Sequence, residues 1–204
     1  LVSVALNARP RVLLAGSAAM AAALARALGR QRRRRKVHSG PGSTETGGTL
    51  ILVGSNNPVT LRQTEFLVAN AVAREFDFGR EQLAALPLWL AEGRNAVVRV
   101  PVHSLADKII LRRLATIERL FRDRQARSLF IVGGDTALLV CRWLRVQAIA
   151  LHGEILPGLA VGRFLGGLAN GLPVATKPGG FGGERAIVDA VEFLAAPGNL
   201  TAER

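Results

Sequence analysis

Three times in this chain an apolar segment runs straight into a glycine turn and then into a helical pattern, and few folds accept that grammar. The junctions are Gly54-Ser55-Asn56-Asn57-Pro58, Gly133-Gly134-Asp135-Thr136 and the run Lys177 to Gly183, KPGGFGG. The segments ahead of them are TLILV (49–53), SLFIV (128–132) and LPVAT (172–176). Their near-continuous apolar character is that of strands buried on both faces. A helix is expected from Asn57-Pro58 to about Glu75, with Leu61, Phe66, Leu67, Ala71 and Val72 on one face. Others are expected over Thr136 to about Arg145 and Glu184 to Ala195. Between the junctions lie a helical piece at Gln82–Ala91 interrupted by Pro87, a strand at Ala96–Val100 and an amphipathic helix at Leu105–Arg127. That last helix turns Ile109, Ile110, Leu114, Ile117 and Leu120 inward. A further strand at Val146–Leu151 precedes a Gly/Pro-rich stretch, His152–Gly171. The alternation predicts an α/β fold, a mostly parallel sheet flanked by helices, with the ligand site at the carboxyl ends of the strands.

In a parallel sheet the three glycine turns share one edge. Glycine lets backbone amides come close to an anion, and the helix that follows adds unpaired N–H groups and the positive end of its dipole. Such turns form a phosphate cradle without a P-loop, and no Gly-Lys-Ser or Gly-Lys-Thr occurs in the chain. Each junction also has a structural reading. Asn57 can cap its helix with Pro58 in the first turn, where a missing N–H costs nothing. Asp135 can cap the next helix. Its charge repels a bare phosphate, so a functional Asp135 has to act through Mg²⁺, a ribose hydroxyl or a reacting proton.

Charge divides the chain. Residues 1–48 hold nine Lys+Arg against one acid, Glu45, out of an overall balance of +12. Most of that excess is the run Arg32-Arg33-Arg34-Arg35-Lys36, followed by the Gly/Ser/Thr/Pro-rich stretch His38–Gly48, which reads as a flexible linker. Residues 1–48 are therefore taken as the end of one domain plus a basic linker, and 49–204 as a second domain. The basic run suggests nucleic-acid binding by counterion release, but no aromatic residues interleave with it for stacking, and the tether reading is preferred. Cys141 is the only cysteine, so no internal disulfide forms, and a reducing, cytoplasmic setting is expected. Arg9 and Arg11 ahead of an apolar run have the layout of a secretory signal. The same residues read as a strand over Arg11–Ala15 and a helix ending at Leu28, which is the reading adopted. No apolar run reaches the span that a transmembrane helix needs, and no membrane partner is expected.

The stretches GGDTA (133–137), HGEILPGLAVGRF (152–164) and GLPVATKPGGFG (171–182), with GSNNPVTLRQ (54–63) ahead of them, resemble the C-terminal nucleotide-binding domain of the four-carbon acid sugar kinase family in order and spacing. The resemblance covers roughly residues 49–195. That family transfers the γ-phosphoryl group of ATP to the terminal hydroxyl of four-carbon sugar acids such as threonate, erythronate and oxo-tetronate. The resemblance implies ATP and Mg²⁺ as cofactors. It implies phosphate contact from Ser55, a main nucleotide loop of Gly133, Gly134, Asp135 and Thr136, and close passage of Gly179. Asp135 is the local candidate for the catalytic base, and no metal-ligand set is assigned. Glu154 is a lesser candidate for metal binding or loop ordering, and Lys177 for phosphate neutralisation. His103, His152 and Cys141 read as ordinary structural residues. The family's sugar-acid-binding N-terminal domain opens with an Asp-Asp-x-Thr-Gly type motif that is absent here, and Arg11–Leu28 resembles the end of that domain. The sugar acid is thus expected to be met through an N-terminal domain outside this chain, whether the chain is a fragment, a split subunit or a degenerate copy. Two positions depart from the family pattern: Asn57 replaces a hydroxyl residue, and Pro178 removes an O–H and an N–H donor after Lys177. They leave open a non-catalytic nucleotide-binding module.

Overall fold

The structure, a computed structural model, describes residues 7, 13–16, 18–28, 47–78, 80–101 and 108–196. The chain divides into two compact units, Leu1–Val37 with Arg204, and His38–Glu203. In the first, helix α1 spans Ala18–Leu28, close to the helix read from the sequence. The strand expected over Arg11–Ala15 is not formed at residues 13–15, where Leu13 is 95 % exposed. A strand without a neighbour leaves its ladder unpaired.

The second unit is the α/β fold that the alternation predicts. Its elements are β1 (Gly48–Val53), α2 (Pro58–Ala69), β2 (Arg74–Phe76), α3 (Arg80–Ala91), β3 (Ala96–Arg99), α4 (Lys108–Arg122), β4 (Ala126–Val132), α5 (Gly134–Trp143), β5 (Ala148–Leu156), β6 (Leu159–Leu165), β7 (Pro173–Lys177) and α6 (Ala186–Ala195). One seven-stranded sheet runs in the order β2-β3-β1-β4-β7-β6-β5. Its first five strands are mutually parallel, and β6 runs antiparallel to both β7 and β5.

Strands β1 and β4 at the centre are apolar in both registers because both faces are covered. Leu50, Leu52, Val98, Leu129 and Ile131 pack with Leu83, Leu86 and Leu90 of α3, Ile117 and Leu120 of α4 and Val140 of α5. Ile51, Val53, Val97, Phe130 and Val132 pack on the other face with Leu67 of α2 and Ile187, Val188 and Val191 of α6. Each such side chain taken from water contributes roughly 1.5–3 kcal/mol. The same burial carries α3 through Pro87. Leu83, Leu86 and Leu90 recur at helical spacing and are at most 1 % exposed, so packing outweighs the lost hydrogen bond.

Three helices end earlier than their apolar patterns suggest, all by one device. After α2, Ala71 takes a left-handed φ of 55°, and Val72 N–H bonds Leu67 C=O at 3.1 Å. After α4, Arg124 does so at φ 54°, and Gln125 N–H bonds Leu120 C=O at 2.8 Å. After α5, Arg145 does so at φ 56°, and Val146 N–H bonds Cys141 C=O at 2.8 Å. These are Schellman closures, usually marked by glycine, and none carries one. The expected ends at Glu75 and Arg127 therefore fall in the strands that follow. Ala71→Gly is expected to stabilise the protein by about 1 kcal/mol, read as a raised thermal midpoint, because it removes a left-handed Cβ. An unchanged or lower midpoint would contradict this account of the helix end.

The stretch His152–Gly171 is not irregular, as its Gly/Pro content suggests. Strands β5 and β6 form a hairpin across Pro157-Gly158, with Gly158 at φ 84° and Leu156 opposite Leu159. A two-residue loop with glycine at positive φ is a hairpin signal, here submerged in surrounding glycines.

Candidate functional site

The three glycine junctions meet. Strands β1, β4 and β7 are adjacent, and the row Val53, Val132 and Lys177 is in register across them. The ladder extends one step into the turns, with Gly54 N–H bonded to Val132 C=O at 3.2 Å and Gly133 N–H to Lys177 C=O at 2.9 Å. From there the three backbones touch. A Cβ built on Gly133 would stand 2.9 Å from Thr136 Oγ1 and 3.6 Å from Ser55 Cβ. One on Gly179 would collide with Ser55 Oγ and lie 3.3 Å from Asn57 Cβ. Ser55, Gly133, Thr136 and Gly179 thus sit on one rim at the carboxyl ends of the strands.

Each junction has its own local cause. Asn57 caps α2 through its Oδ1, which accepts from Val59 N–H at 2.9 Å, and Pro58 occupies the first turn. Ser55 Oγ accepts from Asn57 N–H at 3.2 Å. Helix α5 begins differently from the expectation. Its cap is Gly133, at φ 115° and ψ 135°, with no side-chain capping bond, and Asp135 lies inside the first turn, exposed. The reading of Asp135 as the cap is corrected: only glycine adopts that φ cheaply, so the cap moved two residues back. The leading N–H groups of α5 have no partner within the helix. Beside them Thr136 is 1 % exposed, and its Oγ1 has no hydrogen-bond partner.

The third turn is held by Lys177 and by two residues, Thr60 and Gln63, that sequence reasoning did not single out. Thr60 Oγ1 donates to Gly179 C=O at 2.5 Å. Gln63 Nε2 donates to the carbonyls of Phe181, Gly182 and Gly183 at 3.0, 3.0 and 2.7 Å. Lys177 Nζ donates to Pro178, Gly179 and Phe181 carbonyls, each at 3.0 Å. Lys177 is 2 % exposed, so it is neither a solvated strand-end lysine nor a side chain reaching out to the rim. Burial lowers its pKa to about 8. Thr60 and Gln63 are the Thr and Gln of the stretch GSNNPVTLRQ (54–63). Polar residues three apart on a helix that must bury one face are the signal that could have found them.

The remaining candidates lie elsewhere. His152 and Glu154 are exposed on β5, two strands from β7, and partial desolvation of the imidazole together with the Arg163 guanidinium lowers the His152 pKa. Cys141 is half-buried on α5, where desolvation raises its thiol pKa. His103 and the basic run Arg32–Lys36 lie outside the described residues. Among the described residues no group of three His, Cys, Asp or Glu could hold a metal ion, and no helix is long and apolar enough to cross a membrane.

Residues 90–187 match a family described as the nucleotide-binding C-terminal domain. The chain is 34 % identical to a D-threonate kinase of Bordetella bronchiseptica over 118 residues, 58 % of this chain and 28 % of that protein. It is 26 % identical to a D-threonate kinase of Salmonella typhimurium over 180 residues, 71 % of this chain and 42 % of that protein. It is 30 % identical to a 3-oxo-tetronate kinase of Pseudomonas fluorescens over 142 residues, 68 % and 32 % of the two lengths. A solved structure of a domain of unknown function from Bordetella bronchiseptica, a domain-swapped dimer with bound citrate, superposes with a TM-score of 0.61 at 28 % identity. That superposition covers 74 % of this chain and 40 % of the other. The chain matches well under half the length of each of these relatives.

Proposed function

We propose that this chain, whose residues 90–187 match a nucleotide-binding C-terminal domain and which is similar to D-threonate and 3-oxo-tetronate kinases, is the nucleotide-binding part of a kinase acting on the terminal hydroxyl of a four-carbon sugar acid, and that the β1-β4-β7 rim binds its ATP. The observation that carries this reading is the meeting of Ser55, Gly133, Thr136 and Gly179 on one rim, with the Thr136 hydroxyl buried and unpartnered. A buried hydroxyl without a partner is costly, and a phosphate oxygen would satisfy it. The glycine cradle that a Cβ would fill fits a phosphate chain drawn against the backbone.

Within this reading Ser55, Gly133, Gly134 and Thr136 position the phosphates, with the N-terminus of α5 supplying N–H donors and positive potential. Gly179 allows the third loop to close on them. Phosphoryl transfer is mainly positioning and charge neutralisation, so these are the contributions such a domain has to make. Mg²⁺ would be carried largely by phosphate oxygens and water, as is usual for that ion, with Asp135 the carboxylate at the rim. Asp135 is also the local group able to take the acceptor hydroxyl's proton. The sugar acid would be presented by an N-terminal domain.

The test is calorimetric titration of ATP-Mg²⁺ into residues 1–204, then a threonate phosphorylation assay with and without a separately supplied N-terminal domain. Saturable ATP binding with turnover only in the presence of the second domain is expected. No heat at millimolar ATP would end the nucleotide reading. Robust threonate turnover by this chain alone would contradict the division of labour.

A pH dependence follows from Lys177. Its ammonium lies under the third loop, and no acidic side chain pairs with it among the described residues. Bound triphosphate favours the charged form, so above about pH 8 the complex retains a proton that the free protein has released. ATP affinity is therefore expected to be flat below that pH and to fall as pH rises through it. Lys177→Met should remove the slope. A second reading, nucleotide binding without catalysis, rests on Pro178 and its missing N–H. If it holds, Pro178→Ser will tighten ATP binding severalfold without creating turnover in the assembled pair.

A further inference from the structure

The hydrogen bonds that tie the loop Pro178–Gly183 to Thr60, Gln63 and Lys177 are all accepted by its carbonyl oxygens, and its own Phe181 N–H turns back to Pro178 C=O at 3.3 Å. Thr60, Gln63 and Lys177 donate seven hydrogen bonds to five consecutive-loop carbonyls, those of Pro178, Gly179, Phe181, Gly182 and Gly183. A trans peptide group is planar, with its N–H opposed to its C=O. Each carbonyl drawn toward Lys177 or Gln63 therefore turns the following N–H the other way. This fixes the outward direction of the amides of Gly179, Gly180, Gly182 and Gly183. None of these four donates to a backbone acceptor among the described residues. Gly179 abuts Ser55 and Gly180 lies beside Asn57, so the start of the loop stands at the shared rim. Gly182, at φ 81°, supplies the left-handed step typical of a main-chain anion nest.

We propose that Thr60, Gln63 and Lys177 are positioning residues that hold the loop's carbonyls inward and thereby present the amides of Gly179, Gly180, Gly182 and Gly183 to a phosphate group. The proposal rests on the nucleotide reading for the identity of the ligand and on the hydrogen bonds alone for the shape of the loop. Lys177 acts as a tethered cation. Its ammonium has three carbonyl oxygens at 3.0 Å, as a bound monovalent cation would, and it screens from the phosphate the negative ends of the peptide dipoles. Gln63 suits its place because an amide nitrogen donates without bringing a charge. Its buried Oε1 is left without a partner, which marks the nitrogen as the working end.

The experiment uses the full chain, labelled with ¹⁵N, and the variants Lys177→Met, Gln63→Leu and Thr60→Val. Without ligand, the amide resonances of Gly179 to Gly183 are expected to move in each variant, while those of β1 and β4 stay in place. Identical loop resonances in wild type and variants would overturn the clamp whatever the protein binds. ATP and tripolyphosphate are then titrated. Both are expected to shift the four glycine amides in the wild type, and Lys177→Met and Gln63→Leu to bind each about tenfold or more weakly, the scale of a lost charged or multiple hydrogen bond. Addition of ethylammonium to Lys177→Ala is expected to restore part of that affinity, which a merely destabilised variant would not show. A displaced loop with wild-type ATP affinity would also overturn the proposal. Wild-type amides unmoved by either ligand would end the nucleotide reading and leave the clamp standing. Thr60→Val removes a single hydroxyl and keeps the comparison available should the other two variants fail to fold.

Discussion

Gly133→Ala is expected to lower stability by about 1–3 kcal/mol, the usual cost of holding an L-residue in a sparsely populated backbone region, and to weaken ATP binding about tenfold or more. Two effects coincide at this one residue. Its φ of 115° belongs to glycine, and the added methyl would press on Thr136 Oγ1 from 2.9 Å. Relaxing the first tilts the start of α5, and relaxing the second swings away the hydroxyl proposed to meet phosphate. Gly134→Ala is the matched control for stability alone, since Gly134 is itself placed against the phosphates. A Cβ there meets nothing within 4 Å, and alanine is the better helix former by up to about 1 kcal/mol. Thermal melting and calorimetric titration of the two variants separate strain from loss of the site. A Gly133→Ala protein that melts with the wild type would show that the turn is not held where it is placed here.

Phe130→Ala is expected to cost about 3–5 kcal/mol, the range for truncating a buried aromatic. Phe130 is fully buried in β4, with Ile51 beside it on β1 and Ala175 on β7, beneath the α6 residues Ile187 and Val191. These neighbours are branched or small, so the cavity term adds to the transfer term. Against a total stability of about 5–15 kcal/mol for an ordinary domain, that brings unfolding within reach of mild conditions. Because β4 leads directly into Gly133, ligand affinity should fall with it. Leu151→Ala on β5, where the side chain is 67 % exposed, removes a comparable volume at the sheet edge and should leave the denaturation midpoint nearly unchanged. Equal losses in the two variants would mean that the centre of the sheet is not the core.

The parts of the fold that could be read in advance are those in which one local signal suffices. The runs 50–53 and 129–132 are apolar without interruption, and each ends at a glycine turn, as a short buried strand does. Asn57-Pro58 announces a helix start by capping chemistry alone. What misled lay where the signal was missing or drowned. Ala71, Arg124 and Arg145 end their helices without glycine, so the helical pattern runs on past the true end. The Pro157-Gly158 hairpin is lost among Gly153, Gly162, Gly166 and Gly167. At α5 the reverse occurred: Asp135 carries the usual side chain of a cap, but a glycine at positive φ took that place.

The sequence alone determined that this chain alternates strands with helices, that three glycine corners follow apolar strands and that three of the four stretches carrying the family resemblance include those corners. Those are properties of short segments, and periodicity and backbone preference decide them locally. Only the tertiary structure decided that β1, β4 and β7 are neighbours, which brings Ser55, Thr136 and Gly179 together. It alone turned Lys177 inward and made Thr60 and Gln63, more than a hundred residues away along the chain, the supports of the last loop. The direction of a side chain depends on which strands pair and which helix covers them, and hydrogen bonds between distant segments leave no periodic trace in either one.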